Sequence, residues 1–195
     1  MATSYSLIAN VALYDNISQI SIAEDDVIFP QDIAHRIDVV ERYLVSLDGK
    51  WDMFSVLIAD LHPKTKIIAA EHFGGMQFVT IVKVVSMVFN IYNAATLEVL
   101  RSWTPENRDP KTNTIDRVIE RQTNLRVVVA LPFLVRHRND VESTLWGSTN
   151  YAVQIARSEK MLTALLHQYQ CGKGRDGTER NTKRFFRDTV FPGTM

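Results

Sequence analysis

One cysteine, Cys171, is all the thiol that the 195 residues contain. An intramolecular disulfide needs two, so no disulfide framework holds this fold, and the composition suits a reducing compartment. Net charge is absent as well, because 22 basic residues are matched by 22 acidic ones. A neutral chain has no global field to draw in nucleic acid, and none to keep its own copies apart. Long apolar runs are also missing. The longest, Phe78 to Tyr92, holds Lys83 and Asn90, whereas a membrane helix needs ~20 apolar residues, so no transmembrane span is expected. The opening MATSYSLIANVALY lacks the basic region and unbroken apolar core of a signal peptide. The expected location is intracellular and cytoplasmic, where the Asn16-Ile17-Ser18 sequon would never meet its enzyme.

Catalytic signatures are missing too. WGSTNY, from Trp146 to Tyr151, has neither the second glycine of a nucleophile elbow nor the Lys-Ser/Thr pair of a phosphate loop. Cys171 stands beside Gly172 at an expected helix end, with no histidine at a spacing that marks a dyad. Asp60, His62, Glu71 and His72 would make a metal set only if a hairpin brought the two pairs together. Glu71 and His72 are adjacent, so a strand points them to opposite sides. The sequence therefore predicts no enzyme, no metal and no cofactor.

What is present is the composition of a folded protein, with 46% hydrophobic and 23% charged residues. The expected fold class is α+β: a single domain over residues 1–170, mainly an antiparallel sheet packed by two long amphipathic helices at about 31–48 and 149–170. Tyr5, Leu7, Ala9, Val11 and Leu13 alternate with smaller or polar neighbours, and Ile20 and Ile22 repeat the alternation after a turn. That spacing predicts a β-hairpin. Ile33, Ile37, Val40, Leu44 and Leu47 then trace a helical stripe stopped at Gly49.

Strands are expected at about 52–60, 66–72 and 78–92, with a buried helix over part of 78–92 as the alternative and Gly74-Gly75 as a hairpin turn. Residues 95–103 read as a strand or short helix, and 104–113 as a polar loop. A short helix from Ile115 follows, capped by Thr114, then a strand over NLRVVVALPFLVRHR that Pro132 bends. Arg136-His137-Arg138 reads as the solvated end of that strand. Ala152, Ile155, Ala156, Leu162, Leu166 and Tyr169 give the second stripe, capped by Ser148 or Thr149 and ended by Gly172.

The last 25 residues, 171–195, are unlike the rest. Six basic residues stand against three acidic ones there, a charge of +3 that leaves residues 1–170 at −3. Glycines at 172, 174 and 177 lower the chance of regular structure, and no period buries the two phenylalanines. The segment is expected to be a basic, partly flexible arm. Lys173, Arg175, Arg180, Lys183, Arg184 and Arg187 would meet phosphates or carboxylates, and Phe185 or Phe186 would stack on a base or enter a partner's groove.

A strand pair, then PQDIAHRIDVVERYLVSLDG, then KWDMFSVLIADLHP resembles the opening of the core domain of rhabdovirus matrix proteins. The likeness covers about Tyr5 to Pro63. It differs from the family pattern in placing its basic arm at the other end, without adjacent prolines. The resemblance implies a small non-enzymatic protein that self-assembles, in virions too, and bridges a nucleoprotein to a membrane surface or another protein layer. Neutrality, a dense core and missing catalytic signatures point separately to a self-associating structural or assembly protein, a homo-oligomer; the arm adds RNA as an expected partner, and the resemblance implies a nucleoprotein or a membrane surface. The alternative reading is a nucleic-acid-binding accessory protein acting through the arm, and the third is a small enzyme with an unfamiliar site.

Overall fold

The computed structural model describes residues 2–85, 88–104, 114–122, 124–138 and 151–173. Among the described residues it is α+β, with a six-stranded, mostly antiparallel sheet and five helices.

The first element corrects the expected hairpin. Residues Ala2–Tyr14 form helix α1, and only Gln19–Ala23 form a strand, β1. The apparent alternation arises because α1 carries two apolar stripes. Tyr5, Ala9 and Ala12, spaced four and three, are buried, while Leu7, Val11 and Tyr14, with the same spacing, are exposed. Interleaved, the two stripes mimic a period of two. The strand pair that opens the rhabdovirus resemblance is therefore a helix followed by a strand.

Strand β2 (Val27–Ile28) leads to helix α2 (Ile33–Ser46), which buries Val39, Val40, Tyr43 and Leu44. Its expected stripe is present, and the chain leaves it through Asp48 and Gly49, both at positive φ. Strand β3 (Met53–Leu57) is buried at every residue. Strands β4 (Asp60–Phe73) and β5 (Met76–Val85) form a long hairpin turned at Gly74-Gly75, with φ of 57° and 81°. A Cβ at Gly74 would lie 2.6 Å from Val39 of α2, so glycine is needed there for space as well as conformation.

The stretch expected as one strand at 78–92 is two strands, β5 and β6 (Phe89–Asn93). Helix α3 (Ala94–Arg101) follows at once, and Asn93 caps it by accepting from the Thr96 N–H. Helix α4 (Ile115–Arg121) is capped by Thr114, whose hydroxyl accepts from the Arg117 N–H. Strand β7 (Val127–Leu131) precedes Pro132, which follows a cis peptide bond.

The sheet order is β1-β6-β3-β7-β5-β4, with β3 and β7 the parallel pair. An ion pair fastens the start of that pair: the Asp52 carboxylate accepts from the Arg126 backbone N–H at 2.7 Å, from Nε at 3.0 Å and from Nη2 at 3.1 Å. Burial pushes the Asp52 carboxyl up, but the Arg126 hydrogen bonds and charge outweigh it and hold it below the ordinary range. Helices cover both faces. Tyr43 of α2 stacks on Phe78 with centroids 4.0 Å apart, and Tyr5 of α1 meets Tyr92 on the opposite face.

The strand expected to end at Arg136-His137-Arg138 stops earlier, and Arg136–His137 form a separate short strand, β8, paired with β2. His137 is not a solvated end. Its side chain is 6% accessible, and Nε2 lies 2.8 Å from Asp26 Oδ2. Helix α5 (Tyr151–Lys173) runs beside β4. Ser158, Leu162 and Leu166 are its buried residues, while Ala156 is exposed, so the broad apolar stripe expected of a second long amphipathic helix is not seen. Gly172 lies inside α5 rather than after it, and Ser148 and Thr149 lie outside the described residues.

Candidate interaction surface

The exposed stripe of α1 is the most unusual surface among the described residues. Its amphipathic logic is doubled. One face meets the protein through Tyr5, Ala9 and Ala12, and the opposite face presents Leu7 at 63%, Val11 at 52% and Tyr14 at 87% exposure, with Ile8 and Ile17 half-exposed beside them. A helix apolar all round is normally buried all round. Ser4, Leu7, Val11 and Tyr14 follow a three-four-three spacing, the seam that one helix offers another. Beside it, Asn10, Val11, Leu13, Tyr14 and Arg101 line an open groove of about 430 Å³.

From Ala2 to Ala23 the single charged residue is Asp15. The surface formed by α1 and β1 is thus apolar or neutral from end to end. Beyond it the character reverses abruptly. Glu24, Asp25 and Asp26 follow β1 directly, and burial pushes Glu24 up to about 7, with Asp26, Asp116 and Asp25 adding to the rise. Asp116, in the first turn of α4, is pushed up by burial to about 6; Arg117 opposes that rise and Glu120 adds to it. These carboxyls also lift Tyr5, whose own burial is the larger cause.

A second groove, of about 700 Å³, lies between α5 and the chain after Pro132, lined by Ile28, Phe133, Ile155 and Ala156 with Arg36 and Arg136 at its margin. Glu159 closes one side by accepting from the Phe133 N–H at 2.8 Å. Neither groove brings together a nucleophile and a base.

The residues considered for a metal are not assembled. Asp60 and His62 lie at one end of β4, and Glu71 and His72 at the other, on one strand rather than on facing strands. Asp60 Oδ1 accepts from the Leu61 N–H, His62 Nε2 lies 3.8 Å from Glu120, and Glu71 accepts from the Tyr43 hydroxyl at 3.4 Å. Among the described residues, no group of three or more His, Cys, Asp and Glu could hold a metal ion. Cys171 does have a histidine neighbour that its spacing could have revealed: His167, one helical turn earlier, has Nδ1 3.7 Å from Sγ on the exposed face of α5.

Of the arm, Lys173 is the last residue of α5, and Arg175, Arg180, Lys183, Arg184, Phe185, Phe186 and Arg187 lie outside the described residues. No helix among the described residues is long and apolar enough to cross a membrane. No protein-family model matches the chain, and no curated protein matches it.

Proposed function

We propose that the chain is a non-enzymatic, self-associating assembly protein, matrix-like or coat-like, that joins copies of itself and contacts a nucleoprotein, nucleic acid or membrane-associated partner through its basic arm. The observation that carries this reading is the second apolar stripe of α1, Leu7, Val11 and Tyr14, turned away from the protein's own core. A helix stripe of that spacing is completed by another apolar surface. Zero net charge removes the long-range repulsion that would oppose contact between copies. The succession of α2 and β3 supports the likeness to rhabdovirus matrix proteins, although α1 departs from the strand pair that opens that pattern.

Light scattering over rising protein concentration tests the reading, with RNA affinity measured against salt beside it. Assembly predicts a mass that grows with concentration. A constant monomer mass together with a steep salt-dependent RNA affinity would replace assembly with nucleic-acid binding as the main role.

A further inference from the structure

The two edges of the sheet are built differently. At the β4 edge, Pro63, Lys64 and Lys66 are exposed, and the pairing register with β5 shifts twice. Ile68, beside the second shift, has its carbonyl taken by the Tyr169 hydroxyl of α5 at 3.1 Å. Proline, lysines, bulges and a covering helix are the devices that stop one sheet edge from pairing with another. Among the described residues the β1 edge has none of them. Gln-Ile-Ser-Ile-Ala is uncharged, pairs with β6 without a register break and contains no proline.

The hydrogen bonds fix which groups β1 leaves open. Asn93 N–H turns away from β1 to Asp52 O, and Glu24 N–H donates to Val88 O. Antiparallel pairs alternate in their bonding, so Ile20 and Ile22 bond to Tyr92 and Asn90, while the backbone N–H and C=O of Gln19, Ser21 and Ala23 face outward. Among the described residues nothing accepts from or donates to that outer row.

Resting on the reading of the chain as a self-associating protein, we infer that β1 pairs antiparallel with β1 of a second copy about a two-fold axis at Ser21, joining two sheets into one. A second copy fits because the edge is self-complementary: Ser21 meets its own counterpart, Gln19 meets Ala23, and each is an outward-facing residue able to exchange both hydrogen bonds. Charge selects the direction. Antiparallel pairing about Ser21 separates the two acidic turns that start at Glu24 by about 20 Å along the strands at ~3.3 Å per residue, beyond the ~8 Å screening length of physiological salt. Parallel pairing would set them side by side. Size selects a larger contact than the strand alone, since a standard interface buries ~800 Å² per partner. The exposed stripe of α1, which is joined to β1 by one short connection, extends the neutral surface.

The test uses the full chain with Ser21→Lys and Ser21→Asp, both at an exposed side chain whose backbone N–H and C=O face away from β6. Circular dichroism and melting check that each variant folds like the unchanged protein. Each variant alone sets like charges against each other across the axis and is expected to weaken association by up to about fivefold. An equimolar mixture of the two is expected to recover association, as Lys-Asp heterodimers. Association of both variants at the unchanged strength, or a mixture no stronger than either variant, overturns the β1 contact while leaving self-association standing. A strictly monomeric unchanged protein overturns both.

Discussion

Tyr5 of α1 and Tyr92 of β6 meet edge to face, with ring centroids 6.5 Å apart and planes at 88°. This aromatic contact seats a helix that is apolar on both sides, and so decides which side faces out. Both rings are almost fully buried. Replacing Tyr5 with Ala is expected to destabilise the fold by about 3–5 kcal/mol, the range for a large buried aromatic side chain. Urea unfolding checks it, and a loss under about 1 kcal/mol would mean that α1 is not held by this contact.

Helix α2 gives an independent measure of the core on the opposite face. Leu44 is 2% accessible and lies in the same cluster as Tyr43 and Val40. Leu44→Ala should cost about 2–5 kcal/mol, whereas substitution of Val45, 80% exposed on the same helix, should change little. Comparable losses at the two positions in chemical denaturation would contradict the assigned face of α2.

At the β4–β5 turn, Gly74→Ala meets two costs together. The residue has φ of 57°, and the new Cβ would stand 2.6 Å from Val39 Cγ1. A loss of about 1–3 kcal/mol is expected. Gly75→Ala, with φ of 81° but open space around it, should lose less. Equal losses would show that contact with α2 adds nothing at Gly74.

The acidic turn beneath α1 makes stability depend on pH. Glu24 rises from an ordinary 4.5 to about 7 and Asp116 from 3.8 to about 6, in both cases chiefly through burial. Between those limits the folded chain holds protons that the unfolded chain has released, so stability falls as pH rises from about 4 to about 7 and then levels off. Each group's share is on the order of 3 kcal/mol at ~1.4 kcal/mol per pH unit. Melting temperatures across that window should fall less steeply in Glu24→Gln than in the unchanged protein. A slope unaltered by the substitution would remove Glu24 as a cause.

Local patterns carried much of this fold in the sequence. The stripe of α2, the diglycine turn and the Thr114 cap each depend on residues within a few positions of one another, and each is where spacing and residue type put it. Helix α1 was hidden because its buried and exposed stripes interleave into an alternation that reads as a strand. His137 was hidden because its partner, Asp26, lies far away in the chain and meets it only when β2 pairs with β8. The open edge of β1 depends on strand order, which no local pattern records. The apolar residues of the interaction surface were visible in the sequence, but as an imagined strand's inner face.

If the outward stripe of α1 joins copies of the chain, as we propose, sedimentation velocity of the unchanged protein beside Val11→Glu over a wide concentration range will separate the two proteins. Val11 is 52% exposed and opposite the buried side of its helix, so the glutamate should leave the fold intact while placing an unpaired charge in the contact. The expected result is a sedimentation coefficient that rises with concentration for the unchanged protein and stays at the monomer value for Val11→Glu. Two superimposable curves, both rising or both flat, would contradict the claim.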